Sequence, residues 1–225
     1  MKFSKSWAAA AVMVALTGAA QAALVNRGGG MIYDTTRNIT WLADMNFAST
    51  SGHTGTGVNA NGRMTWDAAN NWANNLNYGG FSDWRLPTLN PSDTSCTGGF
   101  GVGIGFNCTG GELSGLFVTD LGNKANESVL NQLGDTAEQI ANLALFSNVR
   151  FGDYWSGTGS APGPSSAWNF STLVGYQGFV AKSNAWYAVA VRPGDVAARV
   201  PEPQTLALAL LALGATVVTR RRRPR

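Results

Sequence analysis

Histidine, cysteine and charge are all scarce in this sequence, and each shortage closes off some chemistry. The 225 residues include one histidine, two cysteines and only 13 % Asp, Glu, Lys and Arg. The sole histidine, His53, sits in Ser-Gly-His-Thr-Gly with no orienting partner beside it. A catalytic base must be held by such a partner, so His53 reads as an exposed, non-catalytic side chain. No Gly-x-Ser-x-Gly elbow is present, and with it goes one sign of α/β-hydrolase chemistry. Two cysteines and one distant histidine fall short of the four ligands of a structural zinc site. No metal and no cofactor are expected. The formal charge of +3 is carried by the ends, in Lys2, Lys5 and five terminal arginines. Between Ala23 and Arg199 there are nine basic and twelve acidic side chains, a net charge of −3. A body of that sign disfavours nucleic-acid binding driven by a basic surface.

What the ends do contain is informative. Met-Lys-Phe-Ser-Lys is followed by an uncharged Ala-, Val-, Met- and Leu-bearing run from Trp7 to Ala20, then by Ala20-Gln21-Ala22. Basic start, apolar run and A-x-A order make residues 1–22 a secretory signal, cleaved after Ala22. The partners this implies are the Sec machinery and a signal peptidase; the rival reading is an N-terminal core helix. At the other end, Val200-Pro201-Glu202-Pro203 precedes an apolar run from Leu206 to Val218. That run would span about 20 Å as a helix, short of a bilayer core of about 30 Å. Flanking Gln204, Thr205 and Thr219 lengthen it, and arginine stems snorkel. The expectation is a short transmembrane segment over 205–219, with Arg220, Arg221, Arg222 and Arg223 on the cytoplasmic side. A docked amphipathic helix is the alternative, although the run has no polar face.

Pro201-Glu202-Pro203, the apolar segment and the terminal arginines together resemble the PEP-CTERM sorting signal, here covering 200–225. The resemblance implies a Gram-negative host and an exosortase that processes near Pro-Glu-Pro. It implies a transiently inner-membrane-anchored precursor that ends at the cell surface or outside the cell. It also implies association with exopolysaccharide and biofilm.

Residues 23–199 have the length of one domain and hold seven of the eight tryptophans. Each large aromatic buries about 150–250 Å², so a core is affordable with few aliphatics. Met31–Asp34 and Asn38–Leu42 read as strands around a turn, and 49–62 as loop. Thr65 caps a helix whose apolar face is Trp66, Ala69, Trp72, Ala73 and Leu76, stopped by Gly79-Gly80. Phe81–Pro87 is extended. Residues 90–111 are a Gly-rich insertion, and 112–121, 127–133 and 136–146 are helical candidates. Tyr154–Ser156, Ala167–Thr172, Tyr176–Ala181 and Ala185–Arg192 read as strands. Helices early and an antiparallel sheet in the C-terminal part make an α+β plan.

Five strings occur in order along this body: Trp66-Asp67-Ala68-Ala69, Gly80-Phe81-Ser82-Asp83-Trp84-Arg85-Leu86-Pro87-Thr88, Glu112-Leu113, Tyr154-Trp155-Ser156 and Val191-Arg192-Pro193. Together they resemble the Lcl C-terminal domain family, secreted bacterial domains related to C-type lectins. The resemblance covers about residues 31–195. It implies a C-type lectin-like fold with flanking helices, and a binding role, sometimes toward glycans or glycosaminoglycans. The link from Trp-Arg-Leu-Pro-Thr to Glu-Leu is stretched here by the cysteine-bearing insertion. The Glu-Pro-Asn, Gln-Pro-Asp and Trp-Asn-Asp motifs of calcium-dependent sugar binding are absent.

Three groups of residues carry the remaining chemistry. An even cysteine count in an oxidising compartment makes Cys96–Cys108 a disulfide. Closing a loop of about 13 residues stabilises by roughly 3 kcal/mol in the chain-entropy picture. Trp155, Trp168 and Trp186 are the ligand-binding candidates, because aromatic faces stack on sugar rings; the competing reading makes them core. Asp83, Trp84 and Arg85 are either a ligand contact or a turn that fixes the fold. The carboxylates Asp67, Asp83, Glu112, Asp120, Asp135 and Asp153 are scattered, and no spacing selects a catalytic pair. The expected function is a non-enzymatic surface or matrix protein that binds polysaccharide or another surface protein. The alternatives are an extracellular hydrolase of matrix glycan and a purely structural biofilm component.

Overall fold

The computed structural model describes residues 23–159 and 163–196. The expected signal peptide with Ala20 and Ala22, and the expected sorting tail with Pro201–Pro203, segment 205–219 and Arg220–Arg223, lie outside the described residues. Among the described residues no helix is long and apolar enough to cross a membrane.

Three strands open the domain: β1 (Leu24–Gly28), β2 (Met31–Asp34) and β3 (Ile39–Leu42). The turn after β2 is built by Asp34. Its carboxylate accepts from the Thr36 and Arg37 amides, at 3.0 and 2.9 Å, and from the Trp41 indole at 3.3 Å. A short helix, α1 (Phe47–Thr50), interrupts the stretch expected to be loop from residue 49. Next comes α2 (Trp66–Asn74), where the Thr65 hydroxyl accepts from the Ala68 amide and Ala69, Trp72 and Ala73 are buried. The helix ends at Asn75, earlier than the expected stop at Gly79-Gly80. Asn75 bonds back to the Asn71 carbonyl with both its amide and its side chain, a local competitor to further helix. The two glycines instead turn the chain between Tyr78 and Phe81.

The Gly-rich insertion forms a hairpin, β4 (Thr97–Gly101) and β5 (Ile104–Phe106), tied below its base by the Cys96–Cys108 disulfide. Glycine is required there for contact reasons. A Cβ on Gly99 would lie 1.7 Å from the Ile104 carbonyl oxygen, and one on Gly103 2.2 Å from that of Pro91. After it come α3 (Glu112–Ser114), a π-helical turn over Gly115–Asp120 and α4 (Ala137–Leu143). Residues 127–133 were expected to be helical and are a series of turns. Ser128 and Asn131 side chains accept from the nearby Leu130 and Leu133 amides, and Asn126 has a left-handed φ of 62°.

The last strands are β6 (Asp153–Gly159), β7 (Ser166–Ser171), β8 (Tyr176–Ala181) and β9 (Val191–Pro193). Two antiparallel sheets result, in the orders β1-β2-β3-β9 and β4-β5-β8-β7-β6. The expected strand over 185–192 is reduced to β9, which pairs with β3 of the first sheet. Before it, Trp186 and Tyr187 make single bridges to Met64 and Tyr154, and Ala188, Val189 and Ala190 are buried. The plan is α+β.

Register divides the second sheet into two faces. Tyr154 and Phe170 are opposite each other and share one face, where both pack on Phe117 with ring centroids 5.4 and 5.5 Å away. Asp153, Trp155 and Asn169 share the other face, which is covered at the Trp155 end: its indole donates to the Met64 carbonyl at 2.8 Å. Toward β8 and β5 that second face opens.

Candidate functional site

The motif strings meet in space. Arg85 donates through both guanidinium nitrogens to Glu112, each bond 2.7 Å, and Glu112 also accepts from the Thr88 amide at 2.8 Å. Arg85 exchanges backbone bonds of 2.8 Å with Val191, and Arg192 donates to both Asp83 oxygens at 2.8 and 2.9 Å. The Trp66 indole donates to the Ser156 carbonyl at 2.8 Å. Trp84 is buried. Asp83 and Arg85 therefore hold the fold through their ion pairs, and Trp84 is core.

Two of the three tryptophans expected from sequence are closed off. Trp155 is fully buried and Trp168 is 3 % exposed, packed edge-on against Phe179. Trp186 is half-buried, with the Arg63 guanidinium over its ring at 5.4 Å. A ring with both faces inside the protein offers nothing for a sugar to stack on, so Trp155 and Trp168 are core.

Most of the scattered carboxylates have a cation of their own. Asp34 and Asp120 are each 2.6 Å from one Arg37 nitrogen. That arginine neutralises what would otherwise be a close acidic pair, although burial pushes the Asp120 carboxyl above its usual range against the pull of Arg37. Asp83 pairs with Arg192, Glu112 with Arg85 and Asp135 with Lys124. Asp67 is exposed in the first turn of α2. Asp153 differs from all of these. Its partner is an amide, the Asn169 NH₂ at 2.8 Å. Burial raises its carboxyl above the usual aspartate range, against the Asn169 hydrogen bond and the attraction of Arg63.

Cys96 and Cys108, with Asp93 beside them, are bonded to each other, so neither sulfur is a thiolate ligand. Asp93 is occupied by the Ser95 amide and hydroxyl and by the Gly110 amide, at 2.9, 2.6 and 2.7 Å. His53 lines an open groove of ≈ 520 Å³ with Phe47, Trp72, Asn71 and Asn75. No carboxylate shares that lining, so nothing there orients the imidazole as a base.

Asp153 lies at a second concavity, a hollow of ≈ 390 Å³ on the open face of the second sheet. Its geometry follows from the pleat. Tyr176, Gly178 and Val180 alternate onto this face of β8, and Gly178 is opposite Asn169. Glycine leaves a gap over Asn169 between two larger side chains. Asp153 is in the same row as Ser171 and Tyr176, about 10 Å from the latter at two strand spacings. Ile104 and Phe100 of the hairpin complete the wall, and Phe100 is 101 % exposed. No lysine or arginine lines the hollow. The result is an acidic, hydrogen-bonding floor with aromatic and aliphatic sides. The sequence offered one sign of it, an aromatic set among glycines at Phe100, read there only as insertion.

No protein-family model, curated protein or solved structure matches the chain.

Proposed function

We propose that this is an exported surface or matrix protein whose single domain, of C-type lectin-like and Lcl C-terminal type, binds glycan in the hollow on the second sheet. The observation that carries the reading is the hollow itself: Phe100 and Tyr176 beside the Asp153–Asn169 pair. Sugar rings present apolar C–H faces to aromatics and hydroxyls to carboxylates and amides, and a cleft with a few convergent polar groups is the usual form of a ligand site. The meeting of the five strings that resemble the Lcl C-terminal domain supports the fold assignment. The binding reading involves no catalytic residue: the hollow has one carboxylate, where glycoside hydrolysis by a carboxylate pair needs two. Signal peptidase acts after Ala22, and an exosortase acts at Pro201–Pro203 after transient anchoring in the inner membrane. A surface-protein ligand is the second reading, favoured by Phe100 and Val102, which are 101 % and 65 % exposed at the hairpin tip.

The test is binding of the purified protein to the exopolysaccharide of its host, with and without a chelator. Saturable binding that survives chelation is expected. Absence of binding would move the weight to a protein partner, and shortening of the polysaccharide would indicate a hydrolase. N-terminal sequencing of the exported protein should begin at Ala23; finding Met1 would refute the processing.

A further inference from the structure

We infer that the sheet-face hollow selects a glycan bearing free amino groups, a de-N-acetylated amino-sugar polymer, over acetylated and acidic polysaccharides. The inference rests on the glycan-binding reading above and adds the charge of the ligand. The hollow brings one carboxylate, Asp153, together with the rings of Phe100 and Tyr176, and has no cation in its lining. An ammonium group is attracted both to a carboxylate and to the face of an aromatic ring. A uronate or sulfate would meet Asp153 and no cation in the lining.

The protein's own cations do not fill this role. Arg63 is held over Trp186 and Tyr187, at 5.4 and 5.1 Å from their ring centres. Lys182 lies over Trp66, 4.0 Å from its centre. Asp153 makes no ion pair among the described residues. Burial raises its carboxyl above the usual aspartate range, against the Asn169 hydrogen bond and the more distant attraction of Arg63. Asn169 orients it: the amide NH₂ donates to Asp153, while the amide oxygen is buried with no partner. That arrangement holds the carboxylate as an acceptor in the hollow's lining. The net charge of −3 between Ala23 and Arg199 adds a weak long-range bias of the same sign.

The experiment is calorimetric titration of the purified full chain with three probes: a glucosamine hexamer, an N-acetylglucosamine hexamer and an oligogalacturonate. The glucosamine hexamer should bind at least ten-fold more tightly than the acetylated one, and the oligogalacturonate should not bind. Asp153→Asn, checked for an unchanged melting curve, should remove the preference. Gly178→Ala, which narrows the hollow without touching charge, should weaken the glucosamine hexamer while leaving any residual preference in place. Equal or tighter binding of the acetylated hexamer overturns this inference and leaves the glycan reading standing. So does a ten-fold preference that survives in Asp153→Asn. Failure of all three probes overturns the inference, and the glycan reading then falls or stands on the exopolysaccharide test alone. A lysine-rich peptide that binds in an Asp153-dependent way when the hexamers do not would replace the glycan with a protein ligand.

Discussion

Removing the Glu112 side chain should destabilise the domain by about 2–3 kcal/mol, and the reason can be traced bond by bond. In Glu112→Ala, Arg85 loses two charge-assisted bonds of 2.7 Å and the Thr88 amide loses one of 2.8 Å. Hydrogen bonds to charged groups contribute about 1.5–3 kcal/mol each when well buried. The Arg85 side chain is 34 % exposed and Glu112 17 %, so water takes over part of what is lost and the sum is far below three full bonds. For a domain of this size about 2–4 °C of melting temperature accompanies each kcal/mol, which gives a fall of about 4–12 °C. The coupling with Arg85→Ala in a double-mutant cycle should be about 1–2 kcal/mol. The pH dependence has a definite sign. Burial alone would raise the Glu112 carboxyl, but the bonds from Arg85 and Thr88 outweigh it and hold it below the usual glutamate range. Its contribution is thus complete above the ordinary value of 4.5 and is lost as pH falls through the lower folded value. Thermal melts of wild type, both single variants and the double variant at pH 7, repeated in acid, measure all of this. A shift under about 1 °C for Glu112→Ala, or single-variant losses that simply add, would refute the clamp.

Three further predictions follow from the same geometry. Gly178→Ala should reduce glycan affinity while changing stability by no more than about 1 kcal/mol, because its Cβ would meet only the Tyr176 ring, at 3.1 Å; unchanged affinity in a titration would place the ligand elsewhere. Binding of an amino-sugar oligomer should weaken on acidification at a pH above the ordinary aspartate value of 3.8, because burial raises Asp153 in a setting of Arg63, Asn169 and Ser171; a flat affinity–pH profile there would exclude its carboxylate from the contact. Reducing Cys96–Cys108 should cost about 3 kcal/mol by the chain-entropy relation, read as a lower denaturant midpoint, and coincident curves with and without reductant would contradict it.

Local chemistry was legible in the sequence and tertiary coverage was not. The Thr65 cap, the Trp66–Ala73 face and the strands at 31–34, 154–156 and 176–181 follow from spacing, and the structure has them. The hairpin at 97–106 escaped because its strands are largely glycine, which carries no alternation to read. For the tryptophans, core and ligand contact stayed as competing readings for a related reason. Period-two patterning assigns Trp155 and Trp168 to faces of a sheet but does not say what covers each face, and the segments that close over Trp155 come from residues 64 and 186–187. The carboxylates looked equivalent because their partners are remote in sequence: Arg85 is 27 residues from Glu112, and Arg192 is 109 from Asp83. Only in three dimensions does Asp153 become a carboxylate held by the Asn169 side-chain amide at the edge of a hollow.

Hydrogen–deuterium exchange on the protein with saturating exopolysaccharide fragments is the most direct measurement of where binding occurs. The account predicts protection in 100–104, 153–155, 169–171 and 176–180, with the His53 groove at 51–58 and 71–77 unchanged. Protection confined to that groove, or none at all under saturating fragments, would contradict it.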